Sequence, residues 1–121
     1  MGKPITLLNS RQYLKKNIMA ISNIEKNGSW YYIYDEKGKK AKTLSVSAIG
    51  DIVDFSADFF VTKSGSWYYT YDENGKKIKT LSVSAIGEII SVTGNTFIAK
   101  SGSWLYTYDA TGKKINTRPA K

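Results

Sequence analysis

Three copies of one hairpin sequence constrain this chain more than anything else in it. The stretch Gly65-Ser66-Trp67-Tyr68-Tyr69-Thr70-Tyr71-Asp72-Glu73-Asn74-Gly75-Lys76-Lys77-Ile78 has counterparts beginning at Gly28 and Gly102, and Trp30, Trp67 and Trp104 follow one another at an unbroken period of 37 residues. Residues 28–64 and 65–101 are identical at 24 of 37 positions. A fixed period of this size marks a repeat architecture, in which each unit buries its apolar face against the next.

Each half of the motif has a mechanical reading. Ser-Trp-Tyr-Tyr-Thr-Tyr is rich in aromatic and β-branched residues that suit a pleated, half-buried surface, so it predicts a strand. Alternation puts Trp67, Tyr69 and Tyr71 on one face and Tyr68 and Thr70 on the other. Asp72-Glu73-Asn74-Gly75 then supplies an Asp that can bond the backbone ahead of it and a Gly that tolerates positive φ, which is hairpin chemistry. The Lys-rich segment that follows is the return strand.

Two further strands precede the hairpin in each unit: residues 51–55 and 59–63 in one copy, 88–92 and 96–100 in the next. Ser56-Ala57-Asp58 and Thr93-Gly94-Asn95 link them, and links this short demand antiparallel neighbours. The expected fold is therefore all-β, a single domain over residues 1–121 made of three four-stranded antiparallel meander repeats. Residues 1–27 are a divergent start. There Asn23-Ile24-Glu25-Lys26-Asn27 falls at the register of Phe97–Ser101, Pro4-Ile5-Thr6-Leu7-Leu8 is like a return strand, and Gln12–Leu14 and Asn17–Ile21 are expected strands, with a short helix over residues 10–21 the alternative by composition.

The segment Ile89–Ile115, with its Tyr108-Asp109-Ala110-Thr111-Gly112-Lys113 turn, resembles a β-propeller blade of the NHL-like or quinoprotein-like kinds. The resemblance spans about residues 28–118, implies a propeller-like arrangement and names no substrate. Propellers close with about four to eight blades, so three units imply a homodimer that completes a six-bladed ring by joining the free ends of two chains. A β-trefoil or β-prism, which closes with three units in one chain, is the alternative. Asn27-Gly28-Ser29-Trp30-Tyr31-Tyr32 has a weaker likeness to choline-binding cell-wall repeats, although those recur about every twenty residues.

Composition narrows the chemistry. The 121 residues contain neither Cys nor His, which removes Ser-His and Cys-His catalysis in familiar form, thiolate chemistry and the two commonest transition-metal ligand types. No enzyme activity, metal or cofactor is expected. The net charge is +8, spread through all repeats rather than gathered in a tail. The start of the chain lacks the apolar run of a secretion signal and no stretch is long enough to span a membrane, so a cytoplasmic address without membrane association is expected.

Three sets of residues repeat with the period. Trp30, Tyr32, Trp67, Tyr69, Trp104 and Tyr106 are candidate ligand-binding aromatics; core and inter-repeat packing is the plainer account. Lys39, Lys40, Lys76, Lys77, Lys113 and Lys114 are candidate anion-binding residues, or guards that keep an exposed strand from pairing with another chain. Asp35, Asp72 and Asp109 read as turn caps, since catalytic carboxylates must share one pocket. The expected role is a non-enzymatic binding or interaction module. The alternatives are a carbohydrate- or cell-wall-binding lectin using the Trp-Tyr boxes, and a weak sequence-independent nucleic-acid binder, for which no base-reading motif is present. Beyond the chain itself, the expected partner is a protein or a glycan.

Overall fold

The computed structural model describes residues 20–120. They form eleven strands in three antiparallel sheets. The first sheet has the order β1 (Ile21–Asn27), β2 (Trp30–Asp35), β3 (Lys40–Ser45); the second, β4 (Asp51–Phe55), β5 (Phe59–Ser64), β6 (Trp67–Asp72), β7 (Lys77–Ser82); the third, β8 (Glu88–Thr93), β9 (Thr96–Ser101), β10 (Trp104–Asp109), β11 (Lys114–Pro119). Every strand pairs with its sequence neighbour, so each sheet is a meander as its short links require. The expected strands at residues 12–14 and the return-strand likeness at 4–8 lie outside the described residues. Of the strand expected at 17–21, only Ala20 and Ile21 are described, and Ile21 opens β1.

One element was not foreseen. Single helical turns, α1 (Val46–Ile49) and α2 (Val83–Ile86), carry the chain from the last strand of one sheet to the first strand of the next. Each follows a serine with extended backbone, and the Ser82 hydroxyl accepts from Ala85 N at 3.4 Å. Each ends at a glycine with positive φ, Gly50 at 89° and Gly87 at 93°. At Gly87 an added Cβ would lie 2.5 Å from the Lys100 carbonyl oxygen, so the chain passes too close to β9 for any side chain.

The sheets stack face to face, with the second in the middle. Tyr68, Phe59 and Val61 project from it into a core shared with Ile89, Val92, Phe97, Ala99 and Tyr108 of the third sheet. Phe60 and Tyr71 project the other way, against Ile21, Tyr31 and Ile33 of the first. Phe60 stacks on Tyr71 at 5.1 Å between ring centroids, and Phe97 on Tyr108 at 5.2 Å. The predicted alternation of faces along β6 holds, as the pleat of a strand dictates, and both faces are covered. Burying side chains of this size contributes roughly 1.5–3 kcal/mol each.

Polar contacts lock the stack at repeating positions. Tyr68 Oη donates to the Gly87 carbonyl at 2.8 Å, while the equivalent Tyr31 Oη accepts from Ile52 N at 3.1 Å. Thr70 donates to the Ala110 carbonyl at 2.8 Å, and Asp54 Oδ2 accepts from Val92 N at 3.0 Å. Leu44 and Leu81 lie against the hairpin glycines of the following sheet, Gly75 and Gly112. The outward positions of the third sheet differ: Thr96 and Arg118, both polar, stand where the second sheet has Phe59 and Leu81, and Leu105, without a hydroxyl, stands where it has Tyr68.

Two substitutions probe this packing from opposite sides. Gly75 has φ 80° and its Cβ position lies 3.3 Å from Leu44, so Gly75→Val is expected to cost more than the ~1 kcal/mol typical of a point change. Thr62 is fully buried and its hydroxyl has no hydrogen-bond partner. Thr62→Val keeps the shape and removes the unpaired group, and is expected to raise stability by about 1 kcal/mol. Thermal melts of both variants check these signs.

Candidate functional site

The turn that closes each β2–β3-type hairpin is built by its aspartate. Asp72 Oδ1 accepts from Asn74 N and Lys76 N, both at 2.9 Å, and Asp35 Oδ1 accepts from Lys37 N and Lys39 N at 2.9 and 3.0 Å. Asp109 repeats this with Thr111 N and Lys113 N, and adds the Thr111 hydroxyl at 2.6 Å. These bonds hold the Asp109 carboxyl below its ordinary pKa, the Thr111 hydroxyl contributing most. The three carboxylates are thus engaged in three separate turns. Among the described residues no group of three or more Asp and Glu side chains converges on a metal-sized site.

The turn ends in a β-bulge that decides where the lysines go. Tyr71 pairs with Lys77 but Thr70 pairs with Lys79, so Ile78 is the extra residue; the same shift occurs in β3 and β11. Lys77 and Thr80 consequently share a face with Trp67 and Tyr69. Lys77 Nζ lies 4.6 Å from the Tyr69 ring centroid, Lys40 Nζ 3.8 Å from that of Tyr32, and Lys114 Nζ 4.2 Å from that of Tyr106. Cation–π contacts of this kind are worth about 0.5–1 kcal/mol at exposed sites.

The structure therefore brings two candidate sets together and splits one of them. Lys40, Lys77 and Lys114 join Tyr32, Tyr69 and Tyr106. Lys39, Lys76 and Lys113 belong to the turns, where each carbonyl accepts from the capping aspartate's own N–H at 2.9 Å. All three return strands are sheet edges, as the guarding account of the lysines requires.

The tryptophans are not core residues. Trp30, Trp67 and Trp104 are 47%, 48% and 46% exposed, each at the first position of its strand. The hairpin aromatics that pack the interior are instead Tyr31, Tyr68, Tyr71 and Tyr108. Beside the tryptophans, directly across from Tyr32, Tyr69 and Tyr106, stand Thr43, Thr80 and Thr117, all exposed. Their place was set by the bulge, a shift that the spacing of the lysines alone does not reveal. A shallow pocket lined by Lys100, Gly102, Ser103 and Ala120 lies at the turn that leads into Trp104.

The preceding sheet also contributes lysines to each interface. Lys42 lies on the face of β3 that meets the second sheet, its Cγ 3.6 Å from the Cβ position of Gly75. Lys79 holds the equivalent place facing the third sheet, on the same side of β7 as Leu81. Trp67, Tyr69, Lys77 and Thr80 lie on the face of the second sheet that meets the first, and Trp104, Tyr106, Lys114 and Thr117 on the corresponding face of the third. Trp30, Tyr32 and Lys40 lie on the face of the first sheet that points away from the second.

Two deeper tyrosines give a pH signature. Burial pushes the Tyr71 and Tyr108 phenols above their ordinary pKa of 10.0, so the fold favours their neutral form. The unfolded chain ionises first, and stability that is complete below pH 10 is lost as pH rises through the raised values. Melting temperatures above pH 10 are expected to fall, and to fall less steeply in a Tyr71→Phe, Tyr108→Phe double variant. Among comparisons with known proteins, no protein-family model matches this chain and no curated protein is detectably similar to it.

Proposed function

We propose that the protein is a non-enzymatic binding module built from propeller-like repeats. The observation that carries this reading is the recurrence of one half-exposed tryptophan at the same place in three rigid hairpins, at 46–48% exposure. A scaffold has no need of a large apolar ring left half in water three times over, whereas recognition surfaces use rigid aromatic anchors beside polar groups. A propeller-like arrangement is supported by the meander order, by face-to-face stacking and by one-turn crossovers that always lead from a sheet's last strand to the next sheet's first. The sheets remain separate among the described residues, without the closed barrel on which a trefoil is built.

Completion of a six-bladed ring by a second chain is the corresponding proposal for assembly. Light scattering would read it as a mass twice 13.5 kDa, and a folded monomer would remove it. Within the binding reading, a carbohydrate is favoured over a choline-like cation. The lysine ammonium already lies over each of Tyr32, Tyr69 and Tyr106, where it would repel a quaternary ammonium ligand.

Replacing the tryptophans separates a binding role from a scaffold role. Trp30→Ala, Trp67→Ala and Trp104→Ala together are expected to leave the protein folded, each costing well under the roughly 3–5 kcal/mol of a buried tryptophan. Intrinsic fluorescence and glycan-array binding of the parent protein provide the functional readout. A variant that unfolds would assign the rings to the scaffold, and an array silent at millimolar ligand would remove the lectin.

A further inference from the structure

The junction between the second and third sheets has a pattern of which each end of the stack carries one half. At that junction Thr70 donates to the Ala110 carbonyl at 2.8 Å, Leu81 is seated against Gly112, and the Phe59 and Phe97 rings lie 6.4 Å apart. One period on, Thr107, Arg118 and Thr96 hold the positions of Thr70, Leu81 and Phe59 on the outer face of the third sheet. Two periods back, Glu36, Gly38 and Asn23 hold those of Ala110, Gly112 and Phe97 in the first sheet and its turn. Among the described residues no further sheet pairs with or covers either face.

The residues that differ at these two faces differ in a matched way. Where Phe59 meets Phe97, both counterparts are polar, Thr96 and Asn23. Leu81 and Ala110 pack against the same core, and their counterparts are a cation and an anion, Arg118 and Glu36, both exposed. Around them each face keeps apolar bulk: Ile98 and Leu105 on the third sheet, Tyr32 and Tyr34 on the first, all half-buried. Apolar bulk supplies area to a contact, while opposed charges fix its register and exclude wrong partners.

We propose that the outer face of the third sheet is a docking surface for the first sheet of a second copy of this chain, with Arg118 opposite Glu36 and Thr107 donating to the Glu36 carbonyl. This rests on the proposal that a second chain completes the ring, and it names the faces that meet and the charge pair that selects them. Around a two-fold axis the contact is made twice. It leaves the tryptophans available. Trp67 and Trp104 are 48% and 46% exposed with a preceding sheet in place, and Trp30 stands at the equivalent position.

Sedimentation equilibrium of the full chain over a dilution series reads the dissociation constant of the dimer. Arg118→Glu and Glu36→Arg are each expected to weaken self-association at least about tenfold, since each sets like charges against one another at both contacts. Arg118→Gln and Glu36→Gln, which remove charge without reversing it, are expected to weaken it less. Circular dichroism is expected to be unchanged, because both residues are exposed. An equimolar mixture of Arg118→Glu and Glu36→Arg is expected to dimerise within about threefold of the parent, as every contact in the mixed pair again joins a cation to an anion. Lys76→Glu makes the same charge change at an exposed turn of the middle sheet, and is expected to alter association less than about threefold. Undiminished association of Arg118→Glu, a mixture no tighter than its components, or an equal loss in Lys76→Glu would each overturn this docking surface and leave the ring standing. A parent chain that stays monomeric at millimolar concentration would remove the ring and this surface together, while the binding-module reading is decided separately by the glycan array and the tryptophan variants.

Discussion

The stack depends on a central sheet that is buried on both faces. Tyr68 and Tyr71 lie three residues apart on one strand and enter different cores, one shared with the third sheet and one with the first. Thr70, between them, is also fully buried and donates its hydroxyl to the Ala110 carbonyl across the interface. A strand in this position cannot show the simple alternation of apolar and polar residues seen where one face meets water. It needs side chains that are apolar in the body and polar at the tip, which is why tyrosine and threonine dominate β6.

From that constraint the rest of the architecture follows. Each sheet must present its neighbour with both packing surface and hydrogen-bond partners, so a residue that projects forward meets a fixed backbone position in the next unit. Leu44 and Leu81 illustrate it, as each is seated against a turn glycine 31 residues further along the sequence. The one-turn helices α1 and α2 set the spacing, and their terminal glycines allow the chain to pass close to the adjacent sheet. Where no following sheet is described, the repeat changes: Leu105 replaces the tyrosine whose hydroxyl would have bonded across, and Arg118 replaces the leucine.

The face of each hairpin that carries its tryptophan owes its arrangement to one inserted residue. Without the bulge at Ile78, strict alternation would set Lys77 and Thr80 on opposite faces of β7. With it, the lysine lies over Tyr69 and the threonine stands beside it, both on the face that carries Trp67. From the preceding repeat, Lys42 and Leu44 come up against the turn glycine Gly75.

Much of the local structure was legible in the sequence. The period of 37, the aspartate-capped turns, the short links and the faces of Trp67, Tyr68, Tyr69, Thr70 and Tyr71 are properties of neighbouring residues, and local chemistry decides them. The α1 and α2 turns were not legible, because Val-Ser-Ala-Ile has no strong helical preference and is held by its Ser and Gly ends and by the sheets around it. Nor was the exposure of the tryptophans, since hydrophobicity alone places Trp67 with Tyr71. Only the stacking of sheets determines that the end of β6 lies past the edge of the core while its middle lies within it. The sequence by itself determined the repeat and its hairpins, whose interactions are short in range. Tertiary structure decided which aromatic residues are covered, because that depends on contacts between residues a whole repeat apart.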